Sequence, residues 1–405
     1  MSEIINKVDA ISLVEQFTEF KVGNKNYFAR TQDLEKMPYN SCASIITPIS
    51  FNQNVLVNGG YIDYDLSGTI CHKIDSIVVQ ATIKNTDAVN ALGLLPLQFL
   101  INRVEVFCNG SLKETIYSQN LYTSDILSTS EMNAQYALTN GYNASTYNVA
   151  SNIAASGTKY LQTEIQCFLE KLYMPVLQNT QVRLRVYWNS GSSTITSTSP
   201  AAFTAIQMNN TNIYLRGREF TPEIKSRLDN RFRTDSHVSR CVLRRQQVLN
   251  VGAVSAGSYI NQTLSAYTGS FYYLRVVVLP PGANQETQLG PSYQSLTSIT
   301  LLDSGGRPWS FQDMPGQLIL NSLMPQVYNT LATTVVNCYE LGFASDPAYT
   351  FLTGRNTGDL RLDGRWQLKI NPNFTNAGGA DLYILSMQEA VLIQSPSSDI
   401  QVLEV

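Results

Sequence analysis

The feature that most restricts how this chain can fold is an alternating apolar pattern that recurs twice, in the same order. Ile77–Ile83, Val104–Phe107 and Val182–Trp188 carry it in the first half; Tyr272–Val278, Ser298–Leu302, Trp366–Ile370 and Leu382–Leu385 carry it in the second. A period of two places apolar side chains on one face of a strand. Turn chemistry separates the runs: Asn109-Gly110, Pro280-Pro281-Gly282, Ser304-Gly305-Gly306 and Asp363-Gly364. Slid along itself by 195 residues, the chain lays Ile77–Ile83 over Tyr272–Val278 and Val104–Gly110 over Ile299–Gly305. The offset falls to 184 where Val182–Val186 meets Trp366–Ile370, and to 169 where Asn212–Arg216 meets Asp381–Leu385. Preserved order with a shrinking offset predicts a duplication whose second copy has shorter loops. Each copy holds about eight short strands, enough for two sheets that cover each other's apolar faces. The predicted class is all-β with helical ornaments, built as two tandem eight-stranded jelly rolls.

Helical periodicity is confined to residues 3–20, Leu121–Ala137, Thr221–Phe232 and Gln317–Leu323. Thr221 is placed to cap the third of these, with Pro222 at its first helical position. The expected division is therefore 1–38 as an N-terminal helix or arm, 39–220 as the first jelly roll, 221–237 as a helical linker, and 238–405 as the second jelly roll and C-terminal tail. Two polar, low-complexity stretches, Ser128–Thr158 and Ser190–Pro200, are expected as loops.

Charged residues make up only 15% of the chain against 43% hydrophobic, and 22 tyrosines carry much of the polar share. That balance suits packed interfaces better than a freely diffusing surface. A net charge of −3 argues against a dedicated nucleic-acid binder. Cys42, Cys71, Cys108, Cys167, Cys241 and Cys338 form no CxxC pair, so buried free thiols in a reducing cytoplasm are expected. The N-terminal MSEIINKVDAISLVEQF has no basic n-region or apolar core, and the apolar run Ala91–Ile101 is broken by Pro96 and Gln98. Neither a secretion signal nor a membrane span is expected.

The search for chemistry finds little. His72 and His237 are the two histidines, with no nucleophile elbow or metal-ligand spacing around either, and a hydrogen-bonded structural role is expected for both. Ser304-Gly305-Gly306 lacks the ending of a phosphate loop and reads as a hairpin turn. The carboxylate pairs Asp359 with Asp363 and Glu164 with Glu170 are conceivable for glycoside hydrolysis, but nothing in their spacing singles them out. No catalytic, cofactor-binding or metal-binding residue is assigned, and no cofactor is expected. Nine of the 28 basic residues cluster as Arg216, Arg218, Lys225, Arg227, Arg231, Arg233, Arg240, Arg244 and Arg245, with Glu219, Glu223, Asp229 and Asp235 among them. An ion-paired linker is the favoured reading; the alternative is a positive stripe facing nucleic acid, phospholipid headgroups or an acidic partner.

Three stretches are similar to double jelly-roll major capsid proteins, the family of tailless, often membrane-containing phages and viruses shared with adenovirus hexon and the large DNA viruses. Tyr173–Val186 followed by Ile213–Phe220 resembles the end of that family's first jelly roll. Tyr339–Pro347 through Thr353–Ile370, with Gly354, Asn356 and Asp363, resembles a motif of its second. Ala380–Ile393 resembles the closing strand. The resemblance implies a non-enzymatic major capsid protein: a pseudo-hexagonal homotrimer that tiles an icosahedral shell, made and assembled in the host cytoplasm and residing in the virion. Implied partners are the chain itself and neighbouring trimers, penton and minor capsid proteins and often an internal viral membrane, with no specific nucleic-acid sequence. Other readings are a fibre or surface-layer subunit and a carbohydrate-active β-sandwich enzyme.

Overall fold

The computed structural model describes residues 39–67, 71–126, 151–177, 180–191, 202, 204–234, 236–281, 292–309, 312–320, 336–343, 359–395 and 400–404. The first half contains β1 (Tyr39–Ile46), β2 (Gly60–Asp65), β3 (Lys73–Asn85), β4 (Leu92–Leu94), β5 (Ile101–Cys108), β6 (Ser111–Tyr117), helix α1 (Ser118–Ile126), β7 (Ser151–Ile153), β8 (Thr158–Glu164), β9 (Val182–Trp188) and β10 (Ile206–Phe220). Helix α2 (Pro222–Thr234) joins it to β11 (His237–Val251), β12 (Ile260–Thr263), β13 (Thr268–Leu279), β14 (Leu296–Leu302), β15 (Met314–Pro315), β16 (Tyr339–Gly342), β17 (Leu360–Asp363), β18 (Gln367–Pro372), β19 (Ala380–Gln394) and β20 (Ile400–Glu404).

Pairing is nested. In the first half β1 pairs with β10, β2 with β9, β3 with β8 and β5 with β6, all antiparallel. A long hairpin wound on itself closes this way into two four-stranded sheets, β1-β10-β3-β8 and β2-β9-β5-β6. The second half repeats the scheme: β11 with β19, β12 with β18, β13 with β16, and β14 with β15. Its sheets run β11-β19-β13-β16 and β12-β18-β14-β15. Two strands are additions: β17 pairs with β13 beyond β16, and β20 pairs with the last residues of β19. Each half is a jelly roll.

The duplication read from the sequence coincides with the topology at three strand pairs. An offset of 195 carries the start of β3 onto that of β13 and the start of β5 onto that of β14, while β9 falls on β18. The last pair differs. Ile213 on β10 opposes Val79, and Ser386 on β19 opposes Leu274, the counterpart of Val79. The position of Ile213 is thus taken by Ser386 rather than Leu382, a slip of four residues. An even slip leaves a period-two pattern unchanged, so alternation alone could not fix this register.

Burial explains where the alternation holds. β9 alternates cleanly between buried and half-buried along its length, as a strand does with one face on a core. In β13 the ten residues from Ser270 to Leu279 are all buried, and β19 is buried except at Asp381. Tyr272–Val278, read as alternating, is therefore a strand covered on both faces. The second roll's own core covers much of it, and helix α1 of the first half meets it at Arg275.

Other elements depart from expectation. The Ser128–Thr158 stretch includes β7, which pairs with β4, and the start of β8; residues 127–150 lie outside the described ones, as do residues 3–20. The helix expected at Leu121–Ala137 begins at Ser118 and is described to Ile126. That expected at Gln317–Leu323 is a single turn, Gly316–Leu318, within the described residues. All six cysteines are free, five of them buried. Cys42 and Cys71 meet at 3.2 Å between their sulfurs, beside Gly217. A Cβ on Gly217 would stand 2.3 Å from the Lys73 carbonyl oxygen, so only glycine fits where β10 crosses between these strands.

Candidate self-association interface

One pair of sheet edges meets inside the chain, and the counterparts of that pair do not. β6 ends the second sheet of the first roll and β11 begins the first sheet of the second roll. These two edges lie side by side within the chain. Glu114 on β6 accepts the backbone N–H of Arg244 on β11 at 3.4 Å, and that of Phe168 at 3.3 Å. The Arg244 guanidinium donates to the Gln166 side chain at 2.8 Å and to the Gln166 carbonyl. Tyr173 and Gln394 exchange two hydrogen bonds across the same seam, 3.2 and 2.8 Å. Cys241, Leu243, Ala390, Leu392 and Ile400 of the second roll join the first roll's apolar core.

On the sheet face beside this seam, α1 reaches β13. Arg275 on β13 pairs with Glu340 on β16 at 2.8 Å, both side chains 3% exposed, and donates to Thr123 of α1 at 2.9 Å. The Tyr293 hydroxyl bonds Gln119 of α1 at 2.9 Å. Leu95, Phe99 and Tyr122 of the first half pack into the second roll's core.

The counterpart edges of this pair have no strand beside them among the described residues. They are β1, at the edge of the first roll's first sheet, and β15, at the edge of the second roll's second sheet. By topology β1 is the counterpart of β11, and β15 of β6. The surfaces differ accordingly. Across the sheet from Val78 come Tyr214 and then Ile45; across from Tyr273, its counterpart, come Met387 and then Arg244. Tyr273, Met387 and Arg244 are buried at the seam, whereas Ile45 is 63% and Tyr214 41% exposed. Tyr39, Ile49 and Phe51 extend this exposed apolar strip along β1 and just past it, while Trp309 and Leu318 are exposed on either side of β15. Single exposed apolar residues are ordinary; a strip along an open edge strand marks a contact surface.

The basic stretch is largely consumed inside the chain. Lys225 pairs with Asp229 at 2.6 Å, Arg240 with Glu389 at 3.2 Å, Arg218 with Asp75 at 2.9 Å and Arg245 with Glu404. Of the acids within the stretch, Asp229 alone appears in these pairs; the others come from distant strands. Asp229 also accepts the Tyr173 hydroxyl at 2.9 Å, where Tyr173, Phe220, Leu228 and Phe232 fasten α2 to the first roll. His72 accepts the Phe220 N–H at 2.8 Å, and burial holds its imidazole below the usual range. His237 packs against the Phe232 ring. Asp363 accepts the Arg365 N–H at 3.0 Å in the Asp363-Gly364 turn, apart from Asp359, which bonds Glu389. Glu164 accepts the Ser76 hydroxyl at 2.7 Å, near enough for its charge to act on Glu170.

The seam buries carboxyls, and this fixes a pH dependence. Burial pushes Glu389 up to about 7, with Arg240 offsetting part of the shift and Asp359 adding to it. Burial, then the Glu164 charge, pushes Glu170 up to about 8. Both groups hold protons in the fold where the unfolded chain has lost them, so stability is greatest below about pH 4.5 for these two groups and declines until about pH 8. The urea midpoint is expected to fall from pH 5.5 to pH 8, and Glu389→Gln or Glu170→Gln to flatten that slope. An unchanged slope in both variants would remove these carboxyls from the account.

Sequence reasoning did not find Glu114, Gln166, Arg275, Glu340 or Gln394. A signal existed: Arg275 stands alone in Tyr272-Tyr-Leu-Arg-Val-Val-Val278, and a single charge in a run buried on both sides needs a buried partner.

No protein-family model and no curated protein matches this sequence. Solved structures do match. VP54 of the virus PBCV-1, fitted into a reconstruction of the virophage Sputnik, is 14% identical, covering 91% of this chain and 97% of that one, with a TM-score of 0.70. The chain shares the double jelly-roll fold of viral major capsid proteins. The Faustovirus major capsid protein is 9% identical over 91% of each chain, with a TM-score of 0.65. A chain of the Sulfolobus Turreted Icosahedral Virus is 14% identical, covering 86% of this double jelly roll and 90% of its own length, with a TM-score of 0.52. These neighbours are structural components of virions.

Proposed function

We propose that this double jelly roll is a major capsid protein, non-enzymatic, which assembles as a pseudo-hexagonal homotrimer and tiles an icosahedral virion shell. The observation that carries the reading is the edge pairing: β6 and β11 meet inside the chain, while their counterparts β15 and β1 have no strand beside them among the described residues. A contact between those two edges on different copies is heterologous, and such contacts repeat head to tail, closing into a ring where the rotation between copies allows it. The β15 edge of one copy, with Trp309 and Leu318, then meets the β1 edge of the next, with Ile45 and Tyr214. Six jelly rolls in a ring is three copies of this chain, the stoichiometry the family resemblance implies.

In this reading residues 39–220 and 238–405 are the two wall-forming units, 221–237 is the linker, and 1–38 is an arm available to neighbours or to an internal membrane. Penton and minor capsid proteins would meet the trimer's rim, and assembly would take place in the host cytoplasm. The low charge of the chain suits lateral contacts made of many modest interactions, since few ions need desolvation. Native mass spectrometry of the purified chain is expected to give three chain masses, and electron microscopy of concentrated material to give hexagonal plates or closed shells. A monomer at every concentration, or one that cleaves glycans, would overturn the proposal.

A further inference from the structure

A groove of about 450 Å³ opens on the outer face of the first roll, where β1 and β3 begin and β10 ends. Four cationic side chains line it: Lys73, Lys171, Arg216 and Arg218. Two acids line it as well, and they differ in kind. Asp75 is shared between Lys73 at 3.0 Å and the Arg218 Nε at 2.9 Å, so one carboxylate neutralises a fraction of the four positive charges. Glu170 is the other. Its Oε1 is buried and has no hydrogen-bond partner among the described residues. Burial, with Glu164 on β8 adding and Arg244, Lys171 and Lys73 opposing, raises its carboxyl to about 8. At neutral pH Glu170 is therefore mostly a hydrogen-bond donor rather than a counter-charge. Arg216 is exposed at the groove's edge and has no ion-pair partner among the described residues.

We infer that this groove binds an oxyanion of the phosphate class, a phosphate mono- or diester, gripped by Arg216 and Lys171 and accepting a proton-mediated hydrogen bond from Glu170. Cations in excess over carboxylates, inside a concavity, are the arrangement that favours a multiply charged tetrahedral anion. The guanidinium of Arg216 supplies paired donors that match two phosphate oxygens. The Asp75 carboxylate, shared between Lys73 and Arg218, holds those two side chains in place beneath it. Tyr39 and Ser41 of β1 line the same groove, so it adjoins the edge proposed to meet a neighbouring copy.

Calorimetric titration of the full chain with inorganic phosphate, at pH 7 in low salt, is expected to reveal one saturable site per chain. Arg216→Glu should weaken it by at least about tenfold, the order expected for reversing one charge-assisted contact. Because Arg216 is exposed, the variant should keep the parent's circular dichroism and thermal midpoint. Arg216→Lys, which keeps the charge, should fall between the two. Glu170→Gln, which keeps a donor, should retain binding. Flotation with vesicles of equal phosphatidylglycerol and phosphatidylcholine, against phosphatidylcholine alone, separates the sources. Flotation by the anionic vesicles that free phosphate reverses assigns the site to a lipid headgroup; phosphate binding without flotation assigns it to a soluble phosphate. Absence of saturable phosphate binding in the parent chain, or equal binding in Arg216→Glu, would overturn the inference.

Discussion

Replacing Ile45 and Tyr214 together with aspartate is expected to leave a folded chain that no longer trimerises. The two residues face each other across β1 and β10, and both are substantially exposed in the single chain, at 63% and 41%. Their loss removes no core contact, so circular dichroism and the urea midpoint of the monomer should stay within about 0.5 kcal/mol of the parent. In the assembly the same positions are to be covered by a neighbour, as Arg244 and Met387 are covered inside the chain. Two carboxylates buried there without partners should weaken association by about 3 kcal/mol or more, at least a hundredfold in the dissociation constant. Val89→Asp serves as the control: Val89 is 82% exposed but lies on neither open edge. Sedimentation of the three proteins at equal concentration decides the matter. Trimers in the double variant would sink the edge-to-edge proposal, as would loss of trimers in the Val89 control.

How far the fold was legible depends on which physical signal each element leaves in the sequence. β9 could be read to the residue because one face lies on the core and the other near solvent, so composition alternates with geometry. The register of β10 against β19 could not, because a slip of four preserves the alternation and only the pairings of Val79 and Leu274 separate the choices. Helix α2 announced itself through Thr221 and Pro222 and starts where they place it. The short β7 hid in a polar stretch because Ser151–Ile153 carries no apolar period and is a strand only by pairing with β4.

The interface was the least legible part. Whether a strand is an edge is a property of the closed topology, not of its own residues. β1, of 8 residues, and the 15-residue β11 hold the same place in the two rolls, yet one is open and one is capped by Glu114. The contrast between Ile45 and Arg244 at the same place in the two rolls acquires meaning only when both sheets are assembled. Duplication supplied two copies of one surface, and the covered copy states what the open copy lacks. In the same way the basic stretch could be counted in the sequence, but its partners Glu389, Glu404 and Asp75 come from strands far away along the chain.

The largest expected effect on stability falls on Arg275, where the two rolls are joined through a buried charge. Its guanidinium gives two bonds to the Glu340 carboxylate, 3.0 and 2.8 Å, and one to the Thr123 hydroxyl at 2.9 Å. Tyr273 lies against it, with 4.7 Å from the guanidinium carbon to the ring centroid. Arg275→Leu leaves the Glu340 carboxylate 3% exposed and without its cation, which should cost about 3–5 kcal/mol in urea unfolding. Because the Thr123 bond spans the rolls, the same substitution should also split a single unfolding transition into two, the second roll melting first. Arg275→Leu combined with Glu340→Leu removes both charges and should recover most of the loss, since an apolar pair of similar volume replaces a pair whose desolvation nearly cancels its attraction. The single variant matching the parent within about 1 kcal/mol would show that water reaches the pair, and that the seam is held by its apolar contacts instead.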